Sequence, residues 1–144
     1  MKVLIASDHA GYALKKFLIE HFYDLHFEDL GTYDSNSVDY PDYADKLCNL
    51  LPAGSLDKDP EQIGILICGS GQGMAIKANK HSHIRAALCH SIVTAKLSRE
   101  HNNANVLCIG ERILPYTLAK EIVETFLKTK FAEGRHTNRV KKLC

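Results

Sequence analysis

The stretch that most constrains this chain is Ile63-Gly64-Ile65-Leu66-Ile67, an almost unbroken apolar run that ends in Cys68-Gly69-Ser70-Gly71-Gln72-Gly73. A strand with one wet face alternates polar and apolar side chains, so a continuous apolar run belongs to a strand covered on both faces, as a central parallel strand is. Parallel neighbours need crossover connections, and the remaining sequence should then alternate short strands with helices. It does. Val3 to Ala6 reads as a strand, and Leu14, Phe17, Leu18 and Phe22 follow at helical spacing, with Gly11 in the turn between. Leu25 to Leu30 reads as a second strand, Gly31 to Pro41 as a polar loop, and Tyr43, Ala44, Leu47, Cys48 and Leu51 as one face of a second helix stopped by Pro52 and Gly54. After the apolar run, Met74, Ala75 and Ala78 suggest a short helix, Ile84 to Cys89 a fourth strand, and Ile92 to Leu97 a helix ending near His101. Val106 to Ile109 is a fifth strand closed by Gly110, and Leu118, Ala119, Ile122, Val123 and Phe126 mark an amphipathic helix opened by Pro115. A basic tail runs from Gly134 to Leu143.

Five strands alternating with helices predict a three-layer α/β/α, Rossmann-like domain with a five-stranded parallel sheet, formed by residues 1–144 as one unit without repeats. In such sheets ligands bind beyond the carboxyl ends of the strands, at a topological switch point, which directs attention to the loops after strands 1, 3 and 5.

Composition narrows the function. The 144 residues are 45% hydrophobic and 24% charged, ordinary for a globular domain, and the net charge of +1 argues against a nucleic-acid or membrane-surface protein. No apolar run approaches the roughly 18–20 residues of a membrane span. Asp8 arrives too early for a signal peptide, and the five cysteines form no CxxC pair, so the expected location is cytoplasmic and the thiols are expected to be reduced. The charge is unevenly placed: residues 1–72 carry 5 basic and 12 acidic side chains (−7), residues 73–144 carry 13 and 5 (+8).

Gly69, Gly71 and Gly73 stand directly before a helix, a pattern that presents backbone N–H groups to an anion at a helix N-terminus. The spacing is neither GxxxxGK[ST] nor GxGxxG, and a Cys-based phosphatase would need Arg where Met74 stands. The alternative is a glycine turn that only packs a helix on the sheet. Cys68 heads this loop, where the amides and helix dipole favour a thiolate that could serve as base or nucleophile; otherwise it fills the core. Asp8 and His9 follow the first strand as candidate polar contacts, or as a helix cap and a solvated ring. His101 and Asn102 precede strand 5 and would face the same rim as Cys68, unless the Asn-rich segment is only a turn. Arg135 and Arg139, four apart, would share a helical face suited to phosphate, or belong to a solvated tail. His81-Ser82-His83 lacks a partner at zinc-like spacing and gives little support for a metal.

Taken together, Asp8-His9-Ala10-Gly11, Asp39-Tyr40-Pro41-Asp42-Tyr43-Ala44, Cys68 to Gly73, Ala78-Asn79-Lys80, Ser98-Arg99-Glu100-His101-Asn102, Gly110-Glu111-Arg112 and Gly134-Arg135-His136 through Arg139 resemble the ribose-5-phosphate isomerase type B family, which also contains galactose-6-phosphate isomerase subunits. The resemblance covers essentially the whole chain. It implies interconversion of ribose 5-phosphate and ribulose 5-phosphate without metal or organic cofactor, in a homodimer or dimer of dimers whose active sites are completed by the partner subunit. On that resemblance Cys68 is the base that moves a proton between C2 and C1, His101 assists ring opening, and Asn102 binds near the reacting end. The amides of Gly69, Ser70, Gly71, Gln72 and Gly73 hold the enediolate oxygens and Ser70 shuttles a hydroxyl proton. Asp8 contacts substrate hydroxyls, and His9, Arg112, Arg135 and Arg139 serve the phosphate. Two other functions keep the same sequence features: isomerisation of a hexose 6-phosphate (galactose, tagatose or allose), and a flavodoxin-like nucleotide-binding module.

Overall fold

The computed structural model describes residues Met1–Cys144. Its elements are β1 (Lys2–Ser7), α1 (Tyr12–His21), β2 (His26–Asp29), α2 (Tyr40–Leu50), β3 (Gln62–Cys68), α3 (Gln72–Ala78), β4 (Ala86–Leu88), α4 (Ile92–Asn102), β5 (Val106–Gly110), α5 (Tyr116–Lys128) and α6 (Arg135–Lys141). The five strands form one sheet in the order β2-β1-β3-β5-β4, every pairing parallel.

Period-2 alternation divides the strand side chains between two cores. Val3, Ile5, Ile63, Ile65, Ile67, Leu107 and Ile109 face α1, α4 and α5, where Leu14, Leu18, Ala95, Ile122, Val123 and Phe126 close over them. Leu4, Ala6, Leu66, Cys68, Val106 and Cys108 face α2 and α3, packing on Ala44, Leu47, Met74 and Ala78. The central run therefore reads as continuously apolar because each of its faces has its own layer of helices.

Departures from the expected boundaries lie at the margins. The two edge strands are shorter than their apolar runs, β2 keeping four residues and β4 three. α2 starts at Tyr40 with Pro41 in its first turn, where the missing N–H of proline is no loss. The basic tail coils into α6, whose buried Val140 anchors it.

Lys15 is an exception to apolar burial: it is 1% exposed, and its ammonium donates to Asp29 Oδ1 at 2.6 Å and to the Thr32 carbonyl at 2.5 Å. Burial pushes its pKa down from the ordinary lysine value, against the pull of Asp29. The pair ties α1 to the start of the loop between β2 and α2.

Candidate active site

From β1 the chain crosses over to β2 on one side, while β3 leads towards β5 and β4 on the other, so a crevice opens where these connections part. A cleft of about 510 Å³ lies there. Asp8, His9 and Ala10 after β1 form one wall, Arg112 and Ile113 after β5 another, and Cys68, Gly69, Ser70 and Gly73 the floor, with Tyr40 of α2 at the side.

Two glycines make the floor possible. Gly71 takes the left-handed conformation, φ +78°, at the N-cap of α3, and a Cβ there would stand 2.7 Å from Leu88 Cδ1. Gly110 lets the loop lie directly on the end of β5, since a Cβ at this position would meet the Ser70 carbonyl carbon at 2.5 Å. The contact is fastened by the Glu111 N–H donating to the Cys68 carbonyl and the Arg112 N–H to the Gly69 carbonyl, each at 2.9 Å.

The amides of Gly69, Ser70, Gly73 and Met74 donate to no acceptor within the chain, as expected where a loop enters a helix. The Gly71 N–H points at Cys68 Sγ, 3.2 Å away, and the Gln72 N–H at Ser70 Oγ, 3.3 Å away. Cys68 is 5% exposed, and that remaining surface opens into the cleft. Cys48, Cys89 and Cys108 are closed off from solvent, at 0%, 1% and 0% exposed. Burial pushes Cys48 up to about 12, and raises Cys89 and, further, Cys108.

On the β1 wall, Asp8 Oδ1 accepts the Gly11 N–H at 3.1 Å, while Oδ2 has no partner in the chain. The side chain thus shapes its own turn and still offers an acceptor. His9 Nδ1 accepts the Val38 N–H at 3.2 Å. A neutral His9 therefore carries its proton on Nε2. On the opposite wall the Arg112 side chain lies over Gly69, its Nη1 3.2 Å from the point a Cβ would occupy.

His101, Asn102, Arg135 and Arg139 do not line this cleft. α4 runs back to the amino edge of the sheet before β5 starts, and the register pairs Gly64 with Val106 but Cys68 with Gly110. Cys68 is thus four residues further along β3, roughly 13 Å at about 3.3 Å per residue. The expectation that His101 and Asn102 share the Cys68 rim fails within one chain, because a parallel strand's entry and exit lie at opposite edges. At the amino edge His101 meets α6 instead. The His101 ring stacks on His136 with centroids 4.2 Å apart and planes 13° apart, and Arg135 and Arg139 stand exposed on one side of α6. Desolvation, then the charges of His101, Arg135 and Arg139, hold the His136 pKa below its usual value. His81 and His83 have separate partners, Asp45 Oδ1 at 2.7 Å and the Cys48 carbonyl at 2.9 Å.

Tyr40 and Glu111 stand within the Asp39–Ala44 and Gly110–Arg112 motifs, but no local sequence pattern gives either a role. Tyr40 packs its ring against Gly73, where a Cβ would stand 2.4 Å from the ring carbons. The small residue at the head of α3 and the tyrosine at the head of α2 were the signal, but only the fold pairs them.

Residues 3–143 match the family model described as Ribose/Galactose Isomerase. The chain is 40% identical over 141 residues to ribose-5-phosphate isomerase B of Escherichia coli K12, covering 96% of this chain and 91% of that one. Among solved structures it superposes on ribose-5-phosphate isomerase B of Clostridium thermocellum with a TM-score of 0.91 and 43% identity, covering 99% of this chain and 95% of that one. It superposes on ribose-5-phosphate isomerase B of Mycoplasma genitalium with bound ribulose-5-phosphate with a TM-score of 0.89 and 44% identity, covering 99% and 93%. The nucleotide-binding module would share the alternation of strands and helices, but the match along nearly the whole length is to isomerases. The chain belongs to the ribose/galactose isomerase family and is an isomerase.

Proposed function

We propose that this chain interconverts D-ribose 5-phosphate and D-ribulose 5-phosphate through an enediolate, with Cys68 as the base. The observation that carries the reading is the Cys68 sulfur opening into a cleft floored by amides that donate to nothing else in the chain. With the open-chain aldose bound, the Cys68 thiolate removes the C2 proton, the C1–C2 double bond forms, and negative charge moves to the oxygens on C1 and C2. Amides of the Gly69–Gly73 segment donate to that charge; a single such donor is worth about 2.7–4 kcal/mol in comparable sites. Ser70 Oγ passes the hydroxyl proton between the two oxygens, and the Cys68 thiol returns its proton to C1, which yields the ketose and restores the thiolate. Asp8 Oδ2 accepts from substrate hydroxyls, and Arg112 with the Nε2–H of His9 binds the phosphate, whose binding energy orients C1 and C2.

His101, Asn102, Arg135 and Arg139 join this site from a second copy of the chain. Two observations support that arrangement: these residues sit at the opposite edge of the sheet from Cys68, and α4, which carries His101 and Asn102, leaves Ile92, Val93 and Leu97 39%, 64% and 40% exposed. In a homodimer, alone or paired into a dimer of dimers, the apolar face is covered, His101 opens the furanose ring, Asn102 binds the reacting end, and the two arginines complete the phosphate site.

A substrate panel tests the reading. The purified chain should isomerise ribose 5-phosphate with a higher kcat/KM than galactose, tagatose or allose 6-phosphate. Preference for a hexose 6-phosphate would move the function to the hexose branch of the family, and no turnover of any of them would overturn it.

A further inference from the structure

Glu111 follows β5, and its two carboxylate oxygens reach in different directions. Oε2 accepts the Leu14 N–H at 3.2 Å, across 97 positions of sequence, and Oε1 accepts the Tyr116 hydroxyl at 2.6 Å. Leu14 lies in the first turn of α1, directly after the turn that carries Asp8 and His9. That helix starts without a cap of its own: its N-cap is Gly11, which makes no side-chain bond, and its first turn holds no acidic residue. A carboxylate at such an N-terminus satisfies an orphan N–H and meets the positive end of the helix dipole. Here the carboxylate arrives from the far wall of the cleft.

The backbone of the same residue completes the junction, since the Glu111 N–H donates to the Cys68 carbonyl at 2.9 Å. Glu111 thus joins the elements that flank the three cleft loops: the first turn of α1 through Leu14, the end of β3 through Cys68, and the segment after β5 through its own position beside Arg112. It does not itself line the cleft.

We propose that Glu111 is a positioning residue for the isomerase: by capping α1 from the β5–α5 loop, it fixes the separation between Asp8 and His9 on one wall and Arg112 on the other. The inference rests on the cleft being the sugar-phosphate site. The bond from Tyr116 holds the carboxylate in the orientation that reaches Leu14, and the same bond pushes the Tyr116 pKa up to about 12. Without the carboxylate each wall is still bonded to β3 through its backbone, but the direct tie between α1 and the segment after β5 is lost, and misplacement by about 1 Å can cost up to 10²-fold in a preorganised site.

The test compares three variants of the full chain, by steady-state kinetics with ribose 5-phosphate and by calorimetric titration with inorganic phosphate. Glu111→Ala should raise KM and the phosphate Kd about tenfold while kcat stays within about twofold, because the walls and not the base are disturbed. Glu111→Gln keeps the reach: its carbonyl accepts from Leu14 and its NH2 donates to Tyr116 Oη, so both constants should stay within about twofold of the unaltered chain. Glu111→Asp keeps the charge but is one methylene too short to span both partners, so both constants should rise. Loss of activity that follows only the folded fraction, with unchanged KM and Kd, would overturn the assignment. So would the reverse order, with Asp normal and Gln impaired, a comparison that decides the matter even if the Ala variant does not fold. The phosphate titration reads Glu111 without turnover, so failure of the unaltered chain to isomerise any sugar phosphate would overturn the proposed function and leave this comparison standing.

Discussion

Replacing Gly110 with alanine should disable the reaction while leaving the fold in place. The added Cβ would lie 2.5, 2.6 and 2.7 Å from the carbonyl carbon, Cα and oxygen of Ser70, all of them backbone atoms. No side chain can rotate away to relieve the contact. Restoring the closest of these distances to an ordinary 3.4 Å requires the Gly69–Gly71 segment to lift off β5 by about 0.9 Å. This segment carries the Gly69 and Ser70 amides and the N–H aimed at Cys68 Sγ, and a shift near 1 Å in such a site can cost about 10²-fold. Overpacking of this kind destabilises by about 1–3 kcal/mol, lowering Tm by roughly 3–9 °C for a chain of this size. Far-UV circular dichroism and a thermal melt check the fold, and kcat for ribose 5-phosphate checks the loop. A variant that melts as expected yet keeps kcat within about threefold would refute the claim that the loop's seat on β5 sets the chemistry.

Cys68→Ala should lower kcat by at least about 10²-fold, the smallest usual contribution of a positioned general base, while inorganic phosphate still raises Tm. Near-normal turnover would remove Cys68 from the mechanism. Arg135→Ala and Arg139→Ala should each raise KM about tenfold, the scale of a charge-assisted bond to phosphate, with smaller changes in kcat; unchanged KM in both would return α6 to a structural role. His136 predicts a pH effect. Because its folded pKa lies below the ordinary 6.5, the unfolded chain takes up the proton first as pH falls. The neutral ring's contribution is full above pH 6.5 and is lost as pH drops through the folded pKa. Urea denaturation between pH 5 and 7.5 should therefore show a shallower acid-side decline for His136→Phe than for the unaltered chain, and equal slopes would sink the idea.

The layered fold was legible because the dominant signal was two-sided burial. Ile63 to Ile67 is apolar on both faces, and each later strand repeats the switch from strand run to helical spacing. Edge strands were overread, since a residue such as Ile84 is buried beyond the end of β4 without pairing in it. The Cys68 loop was legible because glycines before a helix have a backbone reason to be there. Misplacement of His101 has a different origin. Sequence order puts Asn102 only four residues before Val106, and proximity in sequence to a strand does not say at which of its ends a residue stands. Glu111 was invisible for a related reason: its meaning lies in a bond to Leu14 that no local pattern encodes.

The placement of Cys68 and His101 at opposite edges of one sheet has a genetic consequence. If each cleft draws Cys68 from one chain and His101 from the other, chains lacking Cys68 and chains lacking His101 complement each other. In a mixed pair one cleft inherits both defects and the other inherits neither. Random reassociation of equal amounts pairs unlike chains half the time, so mixing the two impaired preparations should restore about a quarter of the sites to the full complement of residues.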